Sequence, residues 1–248
     1  MRFFLLLLLR LKKLWFILSQ PELLYAFARF GVMAGVEHKA ALTRPLMTVI
    51  DIGANRGQFA LAARAISGAK VISFEPLPQV AAIFEKVFTD DPSVKLHVAA
   101  IGDNPGRKLI HLSARDDSSS LLEIGEAQSD FFPGTHEVGT REVRVGTLDE
   151  FLRVDDIVRP AMLKLDVQGF ELQALEGCKK LIGYFDYVYC ECSFVELYKN
   201  QKLAGEVVNF LRCLGFELMG VHNPTYDREG NCIQADLMFR LGVSKACL

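Results

Sequence analysis

Val49-Ile50-Asp51-Ile52-Gly53-Ala54-Asn55-Arg56-Gly57 reads as a short apolar strand running into a glycine-bearing turn, with a helix expected over 58–66. Glycines at such a turn tolerate positive φ and let backbone N–H groups come close to a ligand. The spacing is Gly-x-x-x-Gly after an aspartate, not the Gly-x-Gly-x-x-Gly of a dinucleotide fingerprint. A second apolar strand, residues 71–74, ends in Glu75, 24 residues beyond Asp51. A carboxylate at the tip of the second strand is placed to accept two hydrogen bonds from a ribose diol. Together these two halves predict an adenosyl-cofactor site.

The content of the turn separates two cofactors. A pyrophosphate rewards a bare glycine turn at a helix N-terminus. Here Asp51 precedes the turn, and Asn55 and Arg56 sit inside it. A carboxylate at that point suits the ammonium end of a methionine moiety better than a phosphate, which favours S-adenosylmethionine over NAD. The residues expected to hold it are Asp51, Gly53, Asn55, Gly57, Glu75 and Ala100. Ala99 and Ala100 are small enough to border an adenine ring.

Three segments carry a family resemblance: 49–57, Ser73-Phe74-Glu75-Pro76-Leu77-Pro78, and Met162-Leu163-Lys164-Leu165-Asp166-Val167-Gln168-Gly169-Phe170-Glu171. Ala100-Ile101-Gly102-Asp103, Ser118-Ser119-Ser120-Leu121 and Thr147-Leu148-Asp149-Glu150 add to them in the same order. Over about residues 48–240 the chain resembles the FkbM-type methyltransferases. The resemblance implies a class I, S-adenosylmethionine-dependent enzyme that methylates a hydroxyl oxygen, on a sugar, a lipid-linked glycan or a secondary metabolite. Gln168 departs from the glutamate that many members carry there, and it reads as a marker of substrate or subgroup.

Strand and helix signals alternate along the chain, which predicts a Rossmann-like, doubly wound, mostly parallel sheet. Strand three is expected over 94–100, an extra strand over 108–113 paired with 142–145, and a short helix over 148–153. A buried strand over 162–166 leads to a helix over 170–181 and a strand over 187–192. A helix over 204–214 precedes two strands, 217–221 and 235–241, joined without a helix and therefore antiparallel, as in the class I methyltransferase fold. The polar stretch 114–141 is long for a loop in a compact domain, so it reads as a substrate lid or a loose insertion.

In such sheets the chemistry lies beyond the carboxyl ends of the strands. Methyl transfer is an in-line displacement that depends on alignment, and an alcohol acceptor also gives up a proton. Asp166 is the first candidate for base or substrate orientation, with Lys164, Glu171 and Glu191 as partners. His136, in the expected lid, is a second candidate base. Asp166 could instead cap the following helix or ligate a divalent metal, although no spacing here demands a metal.

Composition narrows the function classes. A chain of 248 residues, half of them apolar, can bury one substantial core. The net charge of −2 argues against a general nucleic-acid binder. The six cysteines form no C-x-x-C pair and fit reduced thiols in a cytoplasmic protein. Arg2, Arg10, Lys12 and Lys13 stand in a leucine-rich start without an acid, leaving the remainder at −6. On a helical wheel they share one arc, so residues 1–18 read as a helix on an anionic membrane surface, at the inner face, or else packed on the domain. The division is a helical segment over 1–47 and the catalytic domain over 48–248. Two other functions are a nicotinamide-dependent oxidoreductase, disfavoured by the missing middle glycine, and a catalytically silent cofactor-binding partner.

Overall fold

The computed structural model describes Leu18 and residues 20–242. The expected membrane-surface helix over 1–18 lies almost wholly outside them. Among the described residues no helix is long and apolar enough to cross a membrane.

Among the described residues ten strands follow in chain order: β1 (Thr48–Ile52), β2 (Lys70–Phe74), β3 (Val94–His97), β4 (Ala100–Ile101), β5 (Gly106–Ser113), β6 (Glu137–Gly146), β7 (Ala161–Leu165), β8 (Tyr187–Ser193), β9 (Phe216–Tyr226) and β10 (Cys232–Leu241). Seven of them build the main sheet in the order β3-β2-β1-β7-β8-β10-β9. Its pairs are parallel except for those of β10, which runs against both β8 and β9. This is the doubly wound arrangement of class I methyltransferases.

Helices cover both faces, so the central strands are apolar on both sides. The helices are α1 (Pro21–Phe30), α2 (Lys39–Leu42), α3 (Gln58–Ser67), α4 (Pro78–Val87), α5 (Glu126–Phe131), α6 (Glu171–Gly177) and α7 (Ala204–Cys213). On one face Ile50, Ile72, Leu163 and Val188 pack with Leu175 of α6 and Leu211 of α7. On the other, Val49, Val71, Met162 and Met238 meet Ala60 of α3, Leu42 of α2 and Leu23 of α1. A small second sheet, β4-β6-β5, stands beside the main one.

β6, β9 and β10 run longer than the expected 142–145, 217–221 and 235–241, and three further elements differ from expectation. Strand three stops at His97, where Ala99 N–H bonds back to the His97 carbonyl at 3.0 Å, and Ala100 pairs with Val145 in the second sheet instead. The helix expected over 170–181 ends at Gly177, whose close seat on Gly102 leaves no room for a side chain. A short 3-10 turn, Leu148–Glu150, replaces the helix expected over 148–153. The expected lid is folded: a 3-10 turn (Asp116–Ser118) and α5 lie within it, and Gly125 N–H bonds the Leu197 carbonyl at 2.9 Å.

Candidate active site

Toward the carboxyl ends of the strands, the face under α3 turns from apolar to polar. Sheet register places Ser73, Asp51, Lys164 and Tyr189 side by side across four strands, with Glu191, Asp236 and His222 adjacent in the next rows. Lys164 ties the first row together. Its Nζ lies 2.9 Å from Asp51 Oδ1 and 3.8 Å from Asp166 Oδ2, and donates to the Gly53 carbonyl at 3.0 Å. Burial opposes the ammonium charge, yet Asp51 and then Asp166 hold its pKa above the usual lysine range. Asp51 is 0% exposed and lies outside the cavity lining expected of it, whereas its partner Lys164 belongs to the lining.

The glycine turn follows at once. Gly53, at φ 81°, sends its N–H and that of Ala54 to the Phe74 carbonyl. A Cβ on Gly53 would stand 1.8 Å from the Asp166 carbonyl oxygen, so only glycine lets β1 and β7 close here. Asn55, at φ 48°, donates its N–H to Glu75 Oε2 at 3.0 Å, while Leu77 N–H donates to Oε1 at 2.8 Å. Glu75 is 6% exposed, and burial pushes its pKa up to about 7 against those two donors. Gly57 has another purpose than the ligand contact expected of it. At φ 98° it heads α3, and a Cβ there would meet the Phe88 and Phe84 rings at 2.6 and 3.1 Å. Gly57 is a packing glycine, outside the cavity lining.

One cavity joins these parts. Strand order sets Glu75 and Leu77, after β2, at one end of its lining, Gly53 and Asn55, after β1, in the middle, and Lys164 and Asp166 of β7 with His38, which meets Tyr189 of β8, at the other; Ala100 also lines it. Ser119 and Ser120 of the expected lid close part of the side.

Asp166 reaches the cavity from the tip of β7 and does not cap the next helix. The Gly169 N–H, which a capping Asp166 would take, goes instead to Glu171 Oε1 at 3.0 Å, as does that of Val167 at 3.2 Å. Burial raises the Glu171 carboxyl to about 7. Gln168, at φ 54°, fixes Asp166 instead: its Nε2 donates to Asp166 Oδ1 at 2.8 Å and to Glu191 Oε2 at 2.9 Å. Its Oε1 accepts the Tyr198 hydroxyl at 2.8 Å, and Ser120 Oγ donates to its carbonyl at 2.6 Å.

Glu191 sits behind Asp166 and does not line the cavity. Its other oxygen accepts Gln234 Nε2 at 2.9 Å. Burial, then Asp166, Asp236 and Glu171, push its pKa well above the carboxylate range. His136 is exposed before β6 and is absent from the cavity lining, so the structure does not bring it to Asp166. Sequence reasoning missed the bridging done by Gln168 and passed over His38, which no motif marks. Among the described residues no group of three or more His, Cys, Asp and Glu side chains is arranged to hold a metal ion.

Comparison with known proteins adds a family. The model of the methyltransferase FkbM domain matches residues 51–218. A 2-O-methyltransferase, NoeI, from Sinorhizobium fredii is 28% identical over 190 residues, 72% of this chain and 75% of that protein. A protein named Methyltransferase 1 from Beauveria bassiana is 25% identical over 145 residues, covering 52% of this chain and 57% of its own. An rRNA methylase structure from Streptococcus thermophilus superposes with a TM-score of 0.46 at 13% identity, over 84% of this chain and 93% of that one.

Proposed function

The chain belongs to the family of methyltransferases that carry the FkbM domain, and from that premise we propose that it moves a methyl group from S-adenosylmethionine to a hydroxyl oxygen of a small acceptor. A sugar hydroxyl is the acceptor class we favour, in line with the 2-O-methyltransferase among its relatives.

Glu75 is the observation that carries this reading. Each of its oxygens takes one backbone N–H, which leaves a second lone pair on each for the two hydroxyls of a ribose. Gly53 and Ala100 bring no bulky side chain to the lining, which leaves room for an adenosyl group. These residues fit an adenosyl donor, which when bound supplies a methyl carbon activated by the sulfonium. Asp166 lines the cavity, fixed by the Gln168 amide and with the Lys164 ammonium 3.8 Å away. Held in this way, Asp166 is assigned to orienting the acceptor hydroxyl. Alignment of this kind supplies several kcal/mol of barrier lowering.

The nicotinamide alternative loses its ground with membership of a methyltransferase family. The test of our reading is ligand-induced stabilisation followed by a labelled methyl-transfer screen. S-adenosylmethionine and S-adenosylhomocysteine should raise the melting temperature and NAD should not; at a hundred times Kd, linkage gives about 2.7 kcal/mol. The screen spans glycan, lipid-linked glycan and polyketide alcohols. Stabilisation by NAD alone would overturn the reading, and S-adenosylhomocysteine binding without transfer to any class would favour the silent partner module.

A further inference from the structure

Methyl transfer to a hydroxyl releases a proton, and some group must take it. This inference rests on the methyltransferase reading above. The other end of the cavity holds a titratable group that no motif accounts for, His38, which lies outside the span matched by the family model.

The chain is built to hold this imidazole in one orientation. Gly35 N–H donates to the Gln58 carbonyl at 2.8 Å, which pins the segment after α1 against the start of α3. A Cβ on Gly35 would lie 2.8 Å from His38 Cδ2, so glycine there makes room for the ring. The ring stands edge-on to Phe59 and Tyr189, with centroids 5.1 and 5.6 Å away. Its Nδ1 is 3.1 Å from the Tyr189 hydroxyl and 3.5 Å from Asp236 Oδ2.

The hydrogen bonds around that nitrogen decide the tautomer. Tyr189 donates its hydroxyl to Asp236 Oδ2 at 2.8 Å, and Asn223 Nδ2 donates to the same oxygen at 2.7 Å. With its proton committed, the Tyr189 oxygen faces Nδ1 as an acceptor. Both neighbours of Nδ1 therefore accept, so Nδ1 carries the proton and the lone pair falls on Nε2. Among the described residues no side chain or backbone group is bonded to Nε2. Asp236 is only 8% exposed. Burial alone would raise its pKa, but His38, Asn223 and Tyr189 hold it below the usual range. A histidine that merely fills space needs no buried carboxylate behind it, whose desolvation would go uncompensated without these partners.

We propose that His38 is the proton acceptor of the methyl transfer, with Asp236 and Tyr189 as the residues that position it. As the acceptor oxygen forms its new bond to the methyl carbon, the carbon–sulfur pair leaves with sulfur. The hydroxyl proton passes to Nε2, and the resulting imidazolium, stabilised by Asp236, returns it to water. The groups around His38 are Glu37 on its own turn, Asp236 on β10, Tyr189 on β8, Asn223 and His222 on β9, and Lys164 on β7 across the Phe59 ring. The carboxylate behind the ring and the imidazole with its unbonded Nε2 make a base-and-orienter pair on separate strands and turns.

Two arms test this on the full-length protein. In the first, histidine is labelled with 15N, and His38 is identified by its absence in His38→Gln. Neutral His38 should be the Nδ1–H tautomer; an Nε2–H tautomer would overturn the proposal, whatever the acceptor. In the second, S-adenosylhomocysteine binding and methyl transfer to pooled methyl glycosides are measured for wild type, His38→Gln and Asp236→Asn. His38→Gln should bind S-adenosylhomocysteine within about twofold of wild type yet lose roughly 10²–10⁴-fold in turnover. Asp236→Asn should lower turnover by about tenfold or more while S-adenosylhomocysteine binding stays within about twofold of wild type, a loss in kcat and not in donor binding. Normal turnover in His38→Gln overturns the role of His38 and leaves the enzyme reading standing. A tenfold loss of S-adenosylhomocysteine binding there also overturns it, placing His38 at the amino-acid end of the donor. Wild type that binds no S-adenosylhomocysteine sinks the methyltransferase reading itself, even with the tautomer as expected.

Discussion

The Glu75 end of the cavity and the His38 end are made from different parts of the chain. Gly53, Asn55, Glu75 and Leu77 come from two strand tips close in sequence, and they work through backbone N–H groups and one carboxylate. His38, Tyr189, Asn223 and Asp236 come from four separate elements and work through side chains. A backbone cradle of the first kind survives only if its glycines do, which ties it to a short motif. A side-chain cluster of the second kind depends on sheet register and can be rebuilt for a new acceptor while the donor end stays fixed.

Lys164 is the seam between the two ends, and breaking it should have the largest effect. Lys164→Met leaves the Asp51 carboxyl buried without its partner, so unfolding in urea should show a loss of about 3–5 kcal/mol. The double variant with Asp51→Asn should recover part of it. A loss below about 1 kcal/mol in the single variant would mean the pair does not hold the ends together.

Gln168 sharpens the contrast at the second end. Gln168→Glu removes the amide that donates to both Asp166 and Glu191 and puts a third carboxyl between them. Stability at pH 8 should fall by about 1–3 kcal/mol, and by less at pH 5, where the added carboxyl is protonated and can donate. Equal melting temperatures for wild type and variant at pH 8 would contradict the bridging role.

Much of the first end was legible in the sequence, because its chemistry is local. A strand, a glycine turn and a carboxylate at the next strand tip leave a contiguous trace, and Asp166 is read off the end of an apolar run. Gly53 and Gly57 look alike in sequence, yet the first closes β1 on β7 and the second makes room for Phe84 and Phe88. Only tertiary contact tells them apart. Asp51 was legible as a carboxylate but not as the partner of Lys164, which reaches it from the neighbouring strand β7. His136 and His38 are both lone histidines to a sequence reader. The fold leaves one exposed and sets the other against a buried aspartate from near the far end of the chain.

The pH response of donor binding gives a smaller, graded effect at the first end. With its pKa raised to about 7, Glu75 is largely protonated below neutrality in the free protein. A ribose diol donates to the carboxylate form, so binding displaces that proton. Affinity for S-adenosylhomocysteine should be full above pH 7 and fall as pH drops through it, by at most about tenfold per unit. Calorimetry in buffers of different ionisation enthalpy should register proton release near pH 6.5. Binding that strengthens on acidification would contradict this account of Glu75.

The central claim, that the donor is held at the Glu75 end independently of the His38 end, is tested most directly by one calorimetric titration. S-adenosylhomocysteine is titrated at pH 8 into wild type, Glu75→Gln and Asp236→Asn. Wild type should bind, Glu75→Gln should lose roughly ten- to a hundredfold in affinity, as for a hydrogen bond to a charged group, and Asp236→Asn should stay within about twofold of wild type. No binding to wild type, or equal losses in the two variants, would contradict it.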